Sequence, residues 1–181
     1  KENLSPEVYA ELFLNVERLP RNLVFSEEYD VRESRFTGEP DPTSPMYLFI
    51  DPGTTSSAYG VAFVQILPGP TGVPVVKVYD EIYERYTHTE KVIDYFLSHP
   101  YAHLVQGAVM DIAGRQHHDK SSSPKELWQN LAHIPVWDKQ VSIIMGIERH
   151  KTFLLQPNTG LRRLLIHQRC ANLHREYLSW R

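Results

Sequence analysis

Two aspartates in the sequence each stand at the end of an apolar run and before a segment that favours a turn. Asp51 follows Tyr-Leu-Phe-Ile and precedes Pro-Gly, and Asp111 follows Ala-Val-Met and precedes Ile-Ala-Gly. A carboxylate at the end of a buried strand is costly to desolvate unless a positive group meets it. Mg²⁺ and Mn²⁺ prefer oxygen ligands and bind a few carboxylates together with water and phosphate. Asp51 and Asp111 are therefore candidate ligands of a divalent metal.

A local structural role is the alternative for each aspartate. Asp-Pro-Gly is a common turn sequence, and Asp51 could accept hydrogen bonds from the amides of its own loop. For either aspartate alone, the turn and the metal interpretations carry equal weight. Two aspartates on adjacent strands, however, could hold one ion between them, and a third acid would complete a two-metal site for phosphodiester hydrolysis. We therefore favour the metal interpretation for the pair.

The segments around the two aspartates show strand and helix patterns in a regular order. Three apolar runs joined by short turns, at residues 46–50, 59–67 and 73–83, predict an antiparallel meander of three strands. The rest of the chain alternates between helical spacing and short apolar strands. The predicted helices cover residues 89–97, 124–131, 147–155 and 170–180, and the predicted strands cover residues 108–112, 164–166 and a segment that begins at residue 136.

This order predicts an α/β fold, because a meander followed by alternating helices and strands gives a mixed sheet with helices on its faces. The RNase H-like fold has the same order of elements. Residues 46–181 are expected to form this domain. Residues 1–45 differ from it: they predict a helix over 5–18, a short extended piece at 23–25 and an exposed, proline-rich connector over 32–45.

Composition limits the class of protein further. The chain has 181 residues, a net charge of −3 and 41% hydrophobic residues, enough for one ordinary core. This charge argues against a protein that coats nucleic acid non-specifically, but it leaves open an enzyme that acts on DNA. No apolar run approaches the roughly 20 residues that a membrane helix needs. The single cysteine, Cys170, is predicted to be a buried structural thiol.

Two groups of basic residues are candidate phosphate contacts. Arg115, His117 and Lys120 belong to a predicted loop over residues 114–123 that follows Asp111 directly. Lys151 and Arg162 form a second candidate basic patch, although solvated charge on a helix face is the commoner explanation. The pair His117-His118 resembles half of a zinc site, but no cysteine or second histidine pair completes it.

Four segments taken together resemble the nuclease domain of the large terminase subunits of tailed bacteriophages. They are LFIDPGTTSSAYGVAFVQ, GAVMDIAG, GIERHKTFLL and RLLIHQRCANLHREYLSWR, and their order and spacing carry the resemblance over residues 23–181. The segment PEVYAELFLNVERLPRNLVFSEEYD is similar to the connector between the packaging ATPase and the nuclease of that family. Residues 1–45 are accordingly expected to link to an N-terminal ATPase.

The resemblance implies a metal-dependent endonuclease that cuts concatemeric double-stranded viral DNA with Mg²⁺ or Mn²⁺. Asp51 matches the ligand on the first strand of the family and Asp111 the ligand on the fourth strand. The third acid of the family is expected beyond Arg181, so the nuclease domain is interpreted as truncated at its C-terminus. The implied partners are a portal protein and a small terminase subunit, in an assembly of several copies in the host cytoplasm, with no membrane.

Three other interpretations stay open. The segment FIDPGTTSSAYGVA also resembles the first phosphate loop of the actin and heat-shock ATPases, but a second glycine-rich phosphate loop is missing from the sequence. Another nuclease of the same fold, such as a Holliday-junction resolvase, would use an aspartate like Asp51 but would not carry the proline-rich leader. A non-catalytic docking module would hold both aspartates by local hydrogen bonds.

Overall fold

The computed structural model describes residues 23–53, 57–69, 72–111, 122–138, 142–156 and 158–180. The helix predicted over residues 5–18 lies outside these ranges. The elements follow one another as α1 (Val31–Ser34), β1 (Arg35–Phe36), β2 (Met46–Asp51), β3 (Ala58–Pro68), β4 (Pro74–Arg85), α2 (Thr89–Leu97), a 3₁₀ turn (Ala102–Leu104), β5 (Val105–Met110), α3 (Pro124–Leu131), β6 (Val136–Asp138), α4 (Ile143–Leu154), β7 (Leu164–His167) and α5 (Ala171–Ser179).

The seven strands form one mixed sheet in the order β1-β7-β4-β3-β2-β5-β6. Strands β2, β3 and β4 are the predicted antiparallel meander. The remaining neighbours, β2 with β5, β5 with β6, β4 with β7 and β7 with β1, pair in parallel. The predicted α/β fold, with a mixed sheet of meander and parallel strands between helices, is confirmed.

Two apolar cores cover the two faces of the sheet, because successive side chains of a strand point to opposite faces. On β3, Val61 and Phe63 belong to the core that contains α2 and α3. Val64 belongs to the other core, which contains residues of α4, α5 and the segment before α1. A bulge between Phe63 and Val64 shifts the register with β4 at this point.

The segment before β2 differs from its prediction. Residues 24–28 form turns rather than an extended piece, and Phe25 and Tyr29 are buried in the second core. Strand β1 pairs with β7 at the edge of the sheet. The expectation of an exposed connector is wrong at Ser34, which is buried, and at Phe36, which is partly buried. Apolar side chains of this segment gain more by covering the sheet than by lying in water. A link to a further domain stays a prediction.

Helix α4 begins at Ile143, earlier than predicted, and three apolar side chains of its first turn, Ile143, Ile144 and Met145, are exposed. The thiol of Cys170 is buried, as predicted, and burial raises its pKa to about 12, which keeps it protonated and unreactive. Among the described residues, no helix is long and apolar enough to cross a membrane.

Candidate metal centre and its cleft

Asp51 and Asp111 lie side by side at one edge of the sheet. Asp51 is the last residue of β2, and Asp111 directly follows β5. The two strands pair in parallel, with Ile50 opposite Met110, so the next residue of each strand is its aspartate. Ile50 and Met110 are buried, which anchors both strand ends, while the two aspartates are exposed. The sheet therefore brings together the two residues that the sequence nominated.

The electrostatics of this pair fit a divalent cation. Loss of water at the cleft floor and, second, the negative charge of Asp111 raise the pKa of Asp51 above its usual range. Neither carboxylate has a hydrogen bond or an ion pair with another side chain in the part of the chain that the structure describes. Two adjacent carboxylates with no cation between them repel each other, and a divalent metal with oxygen ligands would remove that repulsion.

The two aspartates open into a cleft of about 850 Å³ on the α5 side of the sheet. Across the sheet, Asp51 stands opposite Gly60 of β3, and Gly60 stands opposite Tyr83 of β4. Directly opposed residues share a face, so the missing side chain at Gly60 keeps the space between Asp51 and Tyr83 open. A Cβ atom at Gly53 would overlap the carbonyl oxygen of Ala58, so the turn after Asp51 requires glycine.

Glu81, two residues before Tyr83 on the same face of β4, anchors helix α5 over this cleft. Its carboxylate accepts hydrogen bonds from the backbone amides of Asn172 and Leu173, at 2.7 and 2.8 Å, and from the Asn172 side chain at 2.9 Å. Backbone amides at a helix N-terminus have no partner within the helix and carry partial positive charge. Glu81 therefore serves as the cap of α5, which positions Leu173 and Glu176 in the cleft wall.

Sequence reasoning missed the residues of the cleft wall. Glu81, Tyr83 and Arg85 alternate along β4 and line the cleft, and Glu176 accepts a hydrogen bond of 2.9 Å from the Tyr83 hydroxyl. The alternation of polar residues at positions 81, 83 and 85 was the available signal, because the meander already places the end of β4 beside the turn that follows Asp51. From the sequence, Glu176 is a possible substitute for the third acid, but its helix position favours structural packing and it is not nominated. Tertiary packing brings α5, and with it Glu176, to this edge.

Another aspartate, Asp138, ends a parallel strand at the same edge of the sheet. Asp138 ends β6 and stands opposite Met110 of β5, but its carboxylate is paired with Lys125 at 2.8 Å. Within the described residues, no three acids, histidines or cysteines come close enough to form a metal-binding cluster. The two aspartates therefore stand as a pair in this part of the chain.

None of the five candidate basic residues is placed beside Asp51 and Asp111 in the part of the chain that the structure describes. Arg115, His117 and Lys120 lie outside the described residues. Lys151 forms an ion pair with Glu28 at 3.1 Å. Arg162 lies two residues before β7, and the first residue of β7, Leu164, pairs with Val76 near the start of β4. Val76 and Tyr83 are roughly 20 Å apart along β4, so Arg162 is far from the cleft.

Arg162 has a structural role at that far edge. It binds the Glu33 carboxylate at 2.7 Å and donates to the carbonyl oxygens of Glu28 and Leu154 at 2.5 and 3.1 Å. These bonds tie α1 to the end of α4. A DNA contact by Lys151 or Arg162 stays a prediction, and both side chains already have protein partners.

The hydrogen bonds of Arg162 predict that this residue contributes to the stability of the fold. We expect Arg162→Gln to lower the free energy of unfolding by about 2 kcal/mol, because two partly buried carbonyl groups lose a charged donor. Urea denaturation measures the change. Arg32→Gln is the matched control, since Arg32 is exposed on the same short helix that Arg162 anchors. Equal midpoints for the two variants would show that Arg162 does not tie these segments together.

A second, mostly apolar cleft of about 680 Å³ continues from Asp51 along α4. It shares Asp51, Leu173 and Glu176 with the first cleft and reaches Ile143 and Trp180. Asp51 therefore lies where the two clefts meet.

No family model and no curated protein sequence matches this chain. Its backbone is nevertheless similar to solved structures. The large terminase of a thermophilic bacteriophage, in one crystal form, matches 87% of this chain with a TM-score of 0.65 and 17% identity. In another crystal form the same terminase matches 98% of this chain with a TM-score of 0.64 and 16% identity.

A third similar structure contains a nuclease domain alone. The nuclease domain of the large terminase g2p from bacteriophage SPP1, with bound Mn, matches 80% of this chain and 77% of its own length, with a TM-score of 0.52 and 13% identity. The chain has the terminase nuclease fold. It spans only 37% and 44% of the thermophilic phage terminase in the two crystal forms. Sequence identities this low show a shared fold and nothing more. The positions of Asp51 and Asp111 are taken from the structure of this chain and not from the two terminases.

Proposed function

We propose that this chain is the nuclease part of a viral DNA-packaging motor, an endonuclease that cuts concatemeric double-stranded DNA with Mg²⁺ or Mn²⁺. The observation that carries the proposal is the pair Asp51 and Asp111 at adjacent strand ends of a terminase nuclease fold. The Mn bound by the SPP1 domain supports a divalent metal as the cofactor. Two adjacent carboxylates that line one open cleft are the oxygen ligands that a divalent metal prefers.

The residues of the chain have separable tasks in this reaction. Asp51 and Asp111 would hold the metal, which when bound supplies charge stabilisation and an activated water for phosphodiester hydrolysis. A bound cation would lower the raised pKa of Asp51, so this carboxylate would be ionised in the working enzyme. Gly60 keeps the floor low enough for a phosphate group to approach, and the Glu81 cap holds α5 as one wall.

Assembly and location belong to the same proposal. As the resemblance implies, a portal protein and a small terminase subunit would be the partners, several copies would act together in the host cytoplasm, and residues 1–45 would lead from the packaging ATPase. A third acidic ligand would follow Arg181 in a longer chain. Arg115, His117 and Lys120, next in sequence to Asp111, would contact DNA phosphates.

Plasmid nicking tests the proposed activity. The given chain and a form extended past Arg181 to the next acidic motif are incubated with supercoiled DNA and Mn²⁺, Mg²⁺ or EDTA. We expect the extended form to cut with either metal and not in EDTA, and the shorter form to cut weakly. Asp111→Asn should remove the metal-dependent cutting, because a metal held by one carboxylate of the pair is weakly bound.

Asp94→Asn is the control for this experiment, since Asp94 is exposed on α2 and does not line the cleft. It makes the same change of charge and should leave nicking intact. If neither form of the chain cuts DNA with any metal, the nuclease proposal is wrong. Nucleotide binding and protein docking would then be the activities to measure.

A further inference from the structure

The cleft contains one cationic side chain among the described residues that line it. Asp51, Asp111, Glu81 and Glu176 make the lining acidic, and Arg85 is the exception. An acidic cleft repels the phosphates of DNA wherever the metal does not neutralise it. A cation held beside the metal pair is therefore the feature most suited to bind the backbone of the substrate.

Arg85 is exposed at the end of β4, two residues after Tyr83 on the same face of the strand. The nearby Tyr83 hydroxyl raises the pKa of Arg85. The same hydroxyl donates a hydrogen bond of 2.9 Å to Glu176. The guanidinium group of Arg175 lies 5.7 Å from the centre of the Tyr83 ring. Of the two arginines near Tyr83, Arg85 is the one that lines the cleft.

The register sets the distance between Tyr83 and the metal pair. Asp51 stands opposite Gly60, which stands opposite Tyr83, so two strand spacings, roughly 10 Å, separate Asp51 from Tyr83. Arg85 lies two residues further along the same face, at the end of β4. The axial rise of about 3.4 Å per phosphate is the minimum spacing along one strand of B-DNA, so a phosphate near Arg85 would lie within about three positions of one at the metal pair.

The chain turns away immediately after Arg85. Tyr86 has a left-handed backbone conformation, with a φ angle of 54°, and its side chain is 84% exposed. This conformation is unfavourable for a bulky residue and persists only where the surroundings determine it. The turn leaves Arg85 at the open rim, where a guanidinium group can bind phosphate oxygens through two parallel N–H donors.

We infer that Arg85, on the wall of the cleft at the end of β4, is a binding site for a backbone phosphate of double-stranded DNA, a few nucleotides from the phosphate cut at Asp51 and Asp111. This inference rests on the proposed nuclease function and adds the residue that sets the path of the substrate across the cleft. Arg175, which stacks over Tyr83 from α5, extends the same phosphate-binding wall.

Binding without cleavage tests the inference. Affinity for a short fluorescent duplex is measured by anisotropy in CaCl₂ over a series of salt concentrations, with every variant made in an Asp51→Asn background. Adding Arg85→Gln should weaken binding roughly tenfold, the loss expected for one charge-assisted phosphate contact, and should reduce the slope of log affinity against log salt by about 0.9. The affinity of Arg85→Lys should lie between those of the Asp51→Asn protein and its Arg85→Gln variant, because lysine keeps the charge but lacks the planar guanidinium group.

Arg32→Gln in the same background is the matched control, since Arg32 is exposed on α1 near the far edge of the sheet. Its affinity and salt slope should equal those of Asp51→Asn alone. Equal affinity for Arg85→Gln and Arg32→Gln, or no duplex binding by Asp51→Asn itself, would overturn the inference. Metal-dependent nicking by the unmodified chain is a separate result, so a failure at Arg85 is distinguishable from a failure of the nuclease proposal.

Discussion

Replacing Asp51 with asparagine is expected to remove metal-dependent DNA cleavage and, at the same time, to make the metal-free protein more stable. Cleavage should fall by about a thousandfold, since a bound metal supplies several kcal/mol of transition-state stabilisation and each ~1.4 kcal/mol is a factor of ten. The rate is measured by plasmid nicking in the form of the chain that cuts. Asp94→Asn again controls for the change of charge.

The gain in stability follows from the raised pKa of Asp51. A carboxylate whose pKa is higher in the folded than in the unfolded chain destabilises the fold when it is ionised. That cost is present at neutral pH and disappears as the pH falls through the folded pKa. In EDTA at neutral pH, Asp51→Asn should therefore melt above the parent chain, and the difference should vanish in acid.

Addition of Mn²⁺ should reverse the order of the two melting temperatures. Mn²⁺ binds the folded chain through the pair, so it should raise the melting temperature of the parent chain and leave that of Asp51→Asn unchanged. A variant that melts below the parent chain in EDTA would mean that Asp51 has a structural partner. An equal response of both proteins to Mn²⁺ would mean that the metal binds elsewhere.

Glu81 should show the opposite behaviour, although it lines the same cleft. Replacing Glu81 with alanine removes the acceptor of three hydrogen bonds at the start of α5. We expect the free energy of unfolding to fall by roughly 3 kcal/mol, near the upper range for a helix cap and for a hydrogen bond to a charged group. Urea denaturation followed by circular dichroism measures this change.

Glu84→Ala is the control for this prediction, because Glu84 lies on the same strand and points to the other face. The decrease in the free energy of unfolding for Glu84→Ala should be small. Glu81→Gln separates capping from metal binding: it should be less stable than the parent chain and should keep the rise of melting temperature with Mn²⁺. Loss of that rise would make Glu81 a metal ligand, and equal stability of Glu81→Ala and Glu84→Ala would remove the capping role.

The contrast between the two acids explains how one cleft holds several carboxylates. Glu81 is stabilised by amides with partial positive charge, so its charge contributes to the fold. Asp51 and Asp111 have no such partners among the described residues, and their repulsion is a cost that only a cation removes. Opposite effects on stability at positions 51 and 81 would identify which carboxylates serve binding and which serve packing.

The sequence by itself determined the local elements and the pair at their ends. The alternation of apolar residues and the short turns fix the meander β2–β3–β4, and the helical spacing over residues 124–131 fixes α3. Asp51 and Asp111 were identifiable because a carboxylate that ends a buried strand is conspicuous within a few residues of sequence. These features depend on contacts between residues that are close along the chain.

Only the tertiary structure decided the rest. Strand β1 joins β7, the N-terminus of α5 meets Glu81 and Arg162 binds Glu33, and each of these contacts joins segments about ninety or more residues apart. No local spacing encodes such pairings, because they depend on which faces remain to be covered after the sheet forms. The same packing gave Arg162 an ion pair with Glu33, and it brought Tyr83, Arg85 and Glu176 around the aspartates that the sequence had marked.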